Sequence, residues 1–507
     1  MDAQLLKTAK KPLRIMKFGG TSVGDATRIR KVIEIIRDAA RDSELVVIVS
    51  AMSGVTNKLI EAATQSESGS HDAVELIFEG IRDRHNAVVN TLIHSVAIRS
   101  RISRDLRLIR EEGERLCQGT LLLRELTARA QDSISSLGER LSAPLLAAAL
   151  TECGVRSEAI EATQLVVTNR CHGSADPLME PTRERCESRL RPLLQRGIVP
   201  VVTGFIGATQ EGLLTTLGRG GSDYSATILG AALDADEVII WTDVDGLMTA
   251  DPRLVADATT IDEISYREAT DLAQFGAKVL HPKTIGPMTQ YGIPVRIRNT
   301  FTPERPGTRI TPRGSQADIG VKGLAAINDV TLITVNGPGI AHIPDVLERA
   351  VATTAAIGAK VILVSQSSCT NETCMVVTSS AATNVLEVLR GEFAQDLTHK
   401  RVEHVILGPI AAIVTVVGKK MRGSEVEERT VTALGKADIN IIAIAHGSSE
   451  SNISFVVRQQ DVRSALEITH QEFQLGALGS RPLPVSRMDI ASPAWHFETE
   501  QRTASAD

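Results

Sequence analysis

The chain has 507 residues, of which 23% are charged and 43% hydrophobic, and its formal net charge is −6. That length allows two to four domains, the composition is that of a soluble globular protein, and the mild negative charge excludes a global field for nucleic acid or an anionic membrane. Any phosphate site must therefore be local.

The basic N-terminus "MDAQLLKTAKKPLR" lacks the apolar segment of a signal peptide. No apolar run approaches the ~20 residues needed to cross a bilayer. The cysteines at 117, 153, 171, 186, 369 and 374 contain no CxxC pair. They are read as reduced thiols of a cytoplasmic protein.

The first predicted strand is "RIMKFGG", and a helix follows around Ala26–Ala40. "LVVIVSAMSG", "IVPVVTGFIG" and "EVIIWTDVDG" are β-branched runs ending in small residues. Such runs alternating with helices predict parallel strands buried on both faces. An α/β sandwich is expected over roughly the first 310 residues. Between about Asp72 and Ala149 the apolar spacing becomes helical, an excursion with little visible chemistry. Proline, glycine and arginine cluster in "TFTPERPGTRITPRGSQAD", the best linker. The chain then repeats itself at an offset of 80, with Gln366 opposite His446 and Phe393 opposite Phe473. This predicts duplicated strand–helix–strand–strand–helix units. The tail beyond about Pro482 is mixed in composition.

Several strand ends carry polar residues with two readings each. "MKFGGTS" offers Lys17 and two glycines to a phosphate, but alone it reads better as a tight turn with a solvated lysine, because no GxxxxGK[ST] pattern exists. "VSAMSGVTN" offers Ser50 and Thr56 to an anion, or simply caps a helix. Glu139, among small and apolar residues, needs a partner. A substrate ammonium and an internal salt bridge fit equally. In "TTLGRGGSDYSA", Ser222 or Asp223 is expected to cap a helix starting near Tyr224. A helix end gives an exposed anion only ~0.3–1 kcal/mol, whereas binding at ~1 mM needs about 4. Arg219 can supply the rest as a carboxylate fork. "WTDVDGLMTADPR" and "FGAKVLHPKT" add Asp243, Arg253 and Lys278. Ligands of open parallel sheets lie beyond the carboxyl ends of the strands, where these motifs sit.

The motifs "KFGGTS", "VSAMSGVTN", "SLGERLSA", "TTLGRGGSDYSA", "WTDVDG…TADPR" and "FGAKVLHPKT" stand in the order found in aspartate kinases. The chain resembles that branch of the amino-acid kinase superfamily over nearly its whole length. The resemblance implies an α/β three-layer sandwich with a mainly parallel sheet, followed by two ferredoxin-like βαββαβ ACT domains. It implies a catalytic domain over 12–310, a linker over 311–323, ACT domains over 324–400 and 401–480, and a tail over 481–507.

The implied reaction is phosphorylation of the β-carboxylate of L-aspartate by Mg·ATP. The acceptor is already ionised at neutral pH, so positioning and charge neutralisation replace a general base. By resemblance, Lys17, Gly19 and Gly20 cradle the ATP phosphates. Ser50, Thr56, Glu139, Arg219, Gly220, Gly221 and Ser222 form the aspartate site, with Arg219 on the α-carboxylate and Glu139 on the ammonium. Asp223 organises the catalytic lysine and substrate. Thr242, Asp243, Met248, Arg253, Lys278 and Val279 match nucleotide-contacting positions, Met248 standing where many members carry an aromatic residue. Magnesium arrives with ATP, and no separate metal site is implied.

The repeat resembles paired ACT sensors for threonine or lysine, with effector positions Val361, Ile362, Gln366, Ile441, Ile442, His446 and Asn452. ACT domains also imply a homo-oligomer. The second copy keeps the SSExN pattern at Ser448, Ser449, Glu450 and Asn452, whereas the first places Cys369, Thr370 and Glu372 there. An effector response altered from that of threonine-sensitive enzymes is expected. A catalytically silent sensor and a kinase of glutamate or a nucleoside monophosphate are the competing functions. Too few residues follow the repeat for a fused homoserine dehydrogenase, so none is expected.

Overall fold

The computed structural model describes residues 11–276, 280–315, 320–337, 346–367, 372–419, 421, 424–447 and 451–477. The chain divides into two compact units. One comprises the residues up to Leu247 together with Thr260–Ala317, and the other Met248–Thr259 with everything from Asp318 onward.

The first unit opens with β1 (Leu13–Phe18), α1 (Ala26–Asp42), β2 (Glu44–Val49) and α2 (Val55–Ser68). Four helices follow: α3 (His71–Leu92), α4 (Val96–Leu123), α5 (Ala128–Ser135) and α6 (Leu137–Glu152). Then come β3 (Ser157–Ile160), α7 (Met179–Gln195), β4 (Val199–Thr203), β5 (Ile206–Ala208), β6 (Leu214–Thr216), α8 (Gly221–Ala232) and β7 (Glu237–Thr242). The unit closes with β8 (Glu263–Ser265), α9 (Tyr266–Gln274), α10 (Pro282–Tyr291), β9 (Val295–Asn299) and β10 (Thr308–Thr311).

Eight strands form one sheet in the order β3-β4-β2-β1-β7-β9-β10-β8. Only the β9–β10 pairing is antiparallel. Ile15, Val46, Ile48, Val201 and Ile240 on the central strands are each at most 1% exposed. Burial on both faces is what their uninterrupted β-branched runs require. The mainly parallel α/β expectation is met. Because β1, β2, β4 and β7 are parallel neighbours, their carboxyl ends lie side by side, which positions the loops described next.

The second unit contains β11 (Gly320–Asn336), α11 (Val346–Ala356), β12 (Leu363–Ser367), β13 (Glu372–Thr378), α12 (Ser379–Glu392) and α13 (Ala394–Thr398). It continues through β14 (His404–Lys419), α14 (Ser424–Lys436), β15 (Ile441–His446), β16 (Asn452–Arg458) and α15 (Val462–Glu472). Its six strands are ordered β12-β13-β11-β14-β16-β15, all antiparallel. The repeat read from the sequence reappears in the ladders. Val364 faces Met375, and Ile444 faces Phe455, the same pair moved along by the sequence offset.

Candidate active site

Lys17 is the penultimate residue of β1 and is 7% exposed. The β-strand aims it past the sheet's carboxyl edge, where its Nζ lies 2.5 Å from Asp223 Oδ1. Gly19 donates to the Trp241 carbonyl (3.1 Å) and Ser50 to that of Phe18 (3.1 Å), so the loops after β1, β2 and β7 are laced together by backbone. Ser53 also donates to the Gly20 carbonyl at 3.1 Å.

Asp223 lies in the first turn of α8, whose N-cap is Gly220. The helix starts at Gly221 rather than near Tyr224, and neither Ser222 nor Asp223 caps it. The correction has a physical reason. Gly220 has φ +71°, and a Cβ there would come within 2.7 Å of the His281 Cβ. A glycine cap turns the chain tightly enough to place Asp223 inside the helix, where it is available to Lys17. Arg219, just before this cap, is exposed.

Glu139 sits in the first turn of α6, 3% exposed, and its Oε2 has no hydrogen-bond partner. Burial pushes its carboxyl up to about 8, although the Ala51 and Glu139 amides and the Lys17 ammonium pull the other way. Among the described residues Glu139 forms no salt bridge within 4.0 Å, which leaves the substrate ammonium as its candidate partner. The carboxyl is buried and incompletely satisfied, near a cation already paired to Asp223. Ser50 and Thr56 are half-buried. α2 begins after Gly54 with no side-chain cap, so the capping alternative for this stretch does not hold.

At the end of β7, Thr242 Oγ1 donates to Asp243 Oδ1 (3.2 Å), and Asp243 is exposed. The second aspartate of that motif does different work. Asp245 is buried and accepts from Asn299 (2.8 Å), Thr302 (2.9 Å) and Arg305 (3.0 Å), holding the loop after β9. Met248 and Arg253 fall on the stretch that packs with the second unit. There Arg253 is held by Asp251 at 2.6 Å. Lys278 and Val279 lie outside the described residues.

In the second unit, Val361, Ile362, Ile441 and Ile442 are half-buried, and Asn452 is 6% exposed. His446 Nε2 lies 3.4 Å from Glu427. The Gln366 side chain lies outside the described residues, as do Cys369, Thr370, Ser448, Ser449 and Glu450. Glu372 accepts from Asn336 at 2.9 Å.

Sequence reasoning passed over two residues at the first unit's site. His281 stands inside the quoted "FGAKVLHPKT" and packs against Gly220. Burial, with Lys283 and Arg219 nearby, pushes its imidazole below the ordinary value while Asp223 pulls upward, which favours the neutral ring. Phe205 adopts φ +70°, a costly conformation for an aromatic residue. It is held there by Ser225 Oγ accepting from its N–H (2.9 Å) and by its carbonyl accepting from Leu217 (2.9 Å). Backbone strain leaves no sequence signal, whereas His281 was legible as part of a motif.

The carboxyl edge of this parallel sheet thus gathers Lys17, the glycines that follow Phe18 and Asp223 at the start of α8, the edge where open parallel sheets bind ligands. Residues 12–299 match the amino acid kinase family model, and the chain belongs to that family. Residues 414–473 match an ACT domain model. Among curated proteins, the chain is 34% identical over 91% of its length to an Arabidopsis thaliana bifunctional aspartokinase/homoserine dehydrogenase 1, covering 51% of it. It thus spans about half the length of the bifunctional relatives it matches. It is 29% identical to Arabidopsis aspartokinase 1, over 96% of this chain and 84% of that one. E. coli aspartokinase III, solved with aspartate and ADP, is similar at TM-score 0.74 and 29% identity, over 91% of this chain and 100% of that one. The Clostridium acetobutylicum aspartate kinase is similar at TM-score 0.76 and 25% identity, with the same coverage.

Proposed function

We propose that this chain is an aspartate kinase that phosphorylates the β-carboxylate of L-aspartate with Mg·ATP to give 4-phospho-L-aspartate, the entry to lysine, threonine and methionine synthesis. The observation that carries the reading is the Lys17–Asp223 pair at 2.5 Å beside a buried, incompletely satisfied Glu139. The relatives' aspartokinase names and the aspartate and ADP in the E. coli complex support it.

The chemistry follows from the residues. A carboxylate acceptor needs no proton removed, so the site must orient two anions and neutralise the charge that moves between them. Lys17 meets the transferring phosphoryl group, with Gly19 and Gly20 leaving its oxygens access to backbone amides. Asp223 holds the ammonium of Lys17 in place. Arg219, with Gly220, Gly221 and Ser222, takes the α-carboxylate, and Glu139, Ser50 and Thr56 take the rest of aspartate. Thr242, Asp243, Met248, Arg253, Lys278 and Val279 are the positions that the resemblance assigns to the nucleotide, Thr242 closing β7. Among the described residues no three His, Cys, Asp or Glu side chains gather to hold a metal. Magnesium enters as part of the nucleotide substrate.

The same reading takes 12–310 as the catalytic domain, joined through 311–323 to ACT domains at 324–400 and 401–480, with a tail beyond. It makes the enzyme cytoplasmic. No helix among the described residues is long and apolar enough to cross a membrane. The lysine and aspartate in another E. coli aspartokinase III structure support an amino-acid effector, lysine or threonine. The effector positions are Val361, Ile362, Gln366, Ile441, Ile442, His446 and Asn452. Exposed Ile406 and Ile410 on β14 support a homo-oligomer.

The test is ADP release from Mg·ATP with aspartate, glutamate or a nucleoside monophosphate as acceptor. Aspartate-dependent turnover that disappears in Lys17→Ala is expected. Turnover with another acceptor only, or intact turnover in Lys17→Ala, overturns the reading.

A further inference from the structure

The helical excursion contributes a second buried carboxylate, and nothing in the reaction described above uses it. Asp132, on α5, is 2% exposed. Its Oδ1 accepts the Thr216 hydroxyl at 2.6 Å, and its Oδ2 accepts the Thr216 amide at 3.2 Å. The Gly173 amide donates to both oxygens (3.0 and 3.1 Å), and His172 Nδ1 lies 2.9 Å from Oδ2. Hydrogen bonds to an ionised acceptor are roughly twice as strong as neutral ones.

All these partners lie on two segments, the turn around His172–Gly173 and the strand β6 that leads to Arg219. The segments also meet directly. Ala175 donates to the Thr216 carbonyl at 2.8 Å. Gly218 has φ +79°, and a Cβ there would reach 3.0 Å from the Gly173 carbonyl oxygen. The residue immediately before Arg219 is therefore seated on the turn that Asp132 holds. A buried carboxylate is a costly way to fill space, and an apolar side chain would pack there without that penalty. Its several directional bonds instead fix where one segment lies against the other.

We propose that Asp132 is a positioning residue for aspartate binding: by bonding Thr216 and Gly173 together it sets the place from which Arg219 reaches the substrate's α-carboxylate. The inference rests on the reading of Arg219 given above.

The test measures KM for aspartate and for ATP separately, with kcat and Tm, on the full chain. Asp132→Asn, nearly the same shape, is expected to raise KM for aspartate by about tenfold or more, the equivalent of one charge-assisted hydrogen bond. KM for ATP should stay within about twofold. Thr216→Val is expected to raise KM for aspartate in the same selective way, Thr216→Ser to restore it, and Thr216→Val to add little in the Asp132→Asn background. A role in stability alone would lower Tm and leave the two KM values unchanged or moving together, and either result overturns the proposal. If Asp132→Asn does not fold, the Thr216 pair decides: a wild-type KM for aspartate in Thr216→Val sinks it. Arg219→Ala separates the two readings. If it leaves KM for aspartate unchanged, the clamp itself is wrong and the inference falls with it. If it raises that KM while Asp132→Asn and Thr216→Val do not, only the role of Asp132 is wrong.

Discussion

At Glu139 the energetics of burial become a statement about binding. The carboxyl is pushed up to about 8, mainly by desolvation, so at pH 7 without substrate it is mostly protonated. A substrate ammonium beside it favours the ionised form and lowers that value. Aspartate binding near pH 7 is therefore expected to release close to one proton from this residue. Calorimetry in buffers of different ionisation enthalpy would read the release directly. It should vanish in Glu139→Gln, which should also raise KM for aspartate. Stability follows the same sign. The folded pKa lies above the unfolded value of 4.5, so the proton-linked stabilisation is complete below about 4.5 and is lost as pH rises through about 8. Glu139→Gln should thus raise Tm more at pH 8.5 than at pH 5, and an equal shift at both would count against the assignment. In the sequence this residue was visible as a carboxylate among small apolar neighbours. Its missing partner was not.

Helix α3 shows what an element can do without carrying a motif. Arg84 donates to the Ser53 carbonyl (2.5 Å) and the Gly24 carbonyl (2.8 Å), tying the loops after β1 and β2 to one guanidinium. The periodicity of this region was legible in the sequence as helices, and α3 to α6 are helices. Their service to the site was not, because it consists of bonds to distant backbone carbonyls and amides, which no local pattern records. The same helix buries His85 at 2% exposure, with Nδ1 2.7 Å from the Ile81 carbonyl and Nε2 unpartnered. Burial, aided by Arg84, pushes the imidazole down to about 4. The folded state favours the neutral ring, so its contribution is intact above about 6.5 and is lost as pH falls toward 4. His85→Phe should therefore flatten the fall of Tm between pH 6.5 and 4 in thermal melts. An unchanged slope would place the acid sensitivity elsewhere.

Across the whole molecule, the strand order of the first unit was legible only as a class. Alternating β-branched runs and helices dictate a parallel sheet, but which strands neighbour each other depends on long-range packing. The second unit was legible in more detail, because an 80-residue self-match already states that β12 and β13 must pair as β15 and β16 do. What the sequence concealed is that this unit is discontinuous. Met248–Thr259 precedes the repeat by some sixty residues, yet it supplies Ala250, Val255 and Ala258, each at most 3% exposed, to the core formed with Val414, Val416 and Phe455. Leu324 donates to the Thr249 carbonyl (2.7 Å), Thr249 Oγ1 lies 2.9 Å from His470 Nε2, and Thr259 donates to the Leu475 carbonyl (3.1 Å). A fragment beginning at Asp318 therefore lacks part of its own interior. It uncovers apolar surface and leaves these buried groups unpaired, each costing about 1–3 kcal/mol. Such a fragment should melt well below the corresponding transition of the intact chain and bind a hydrophobic dye. A synthetic peptide spanning 248–259 should raise its Tm in proportion to the logarithm of peptide concentration once saturating. In the intact chain Thr249→Val removes only the hydroxyl contacts, so its effect should be smaller and confined to that transition. A fragment that melts with the intact unit and ignores the peptide would show that the repeat folds without this segment.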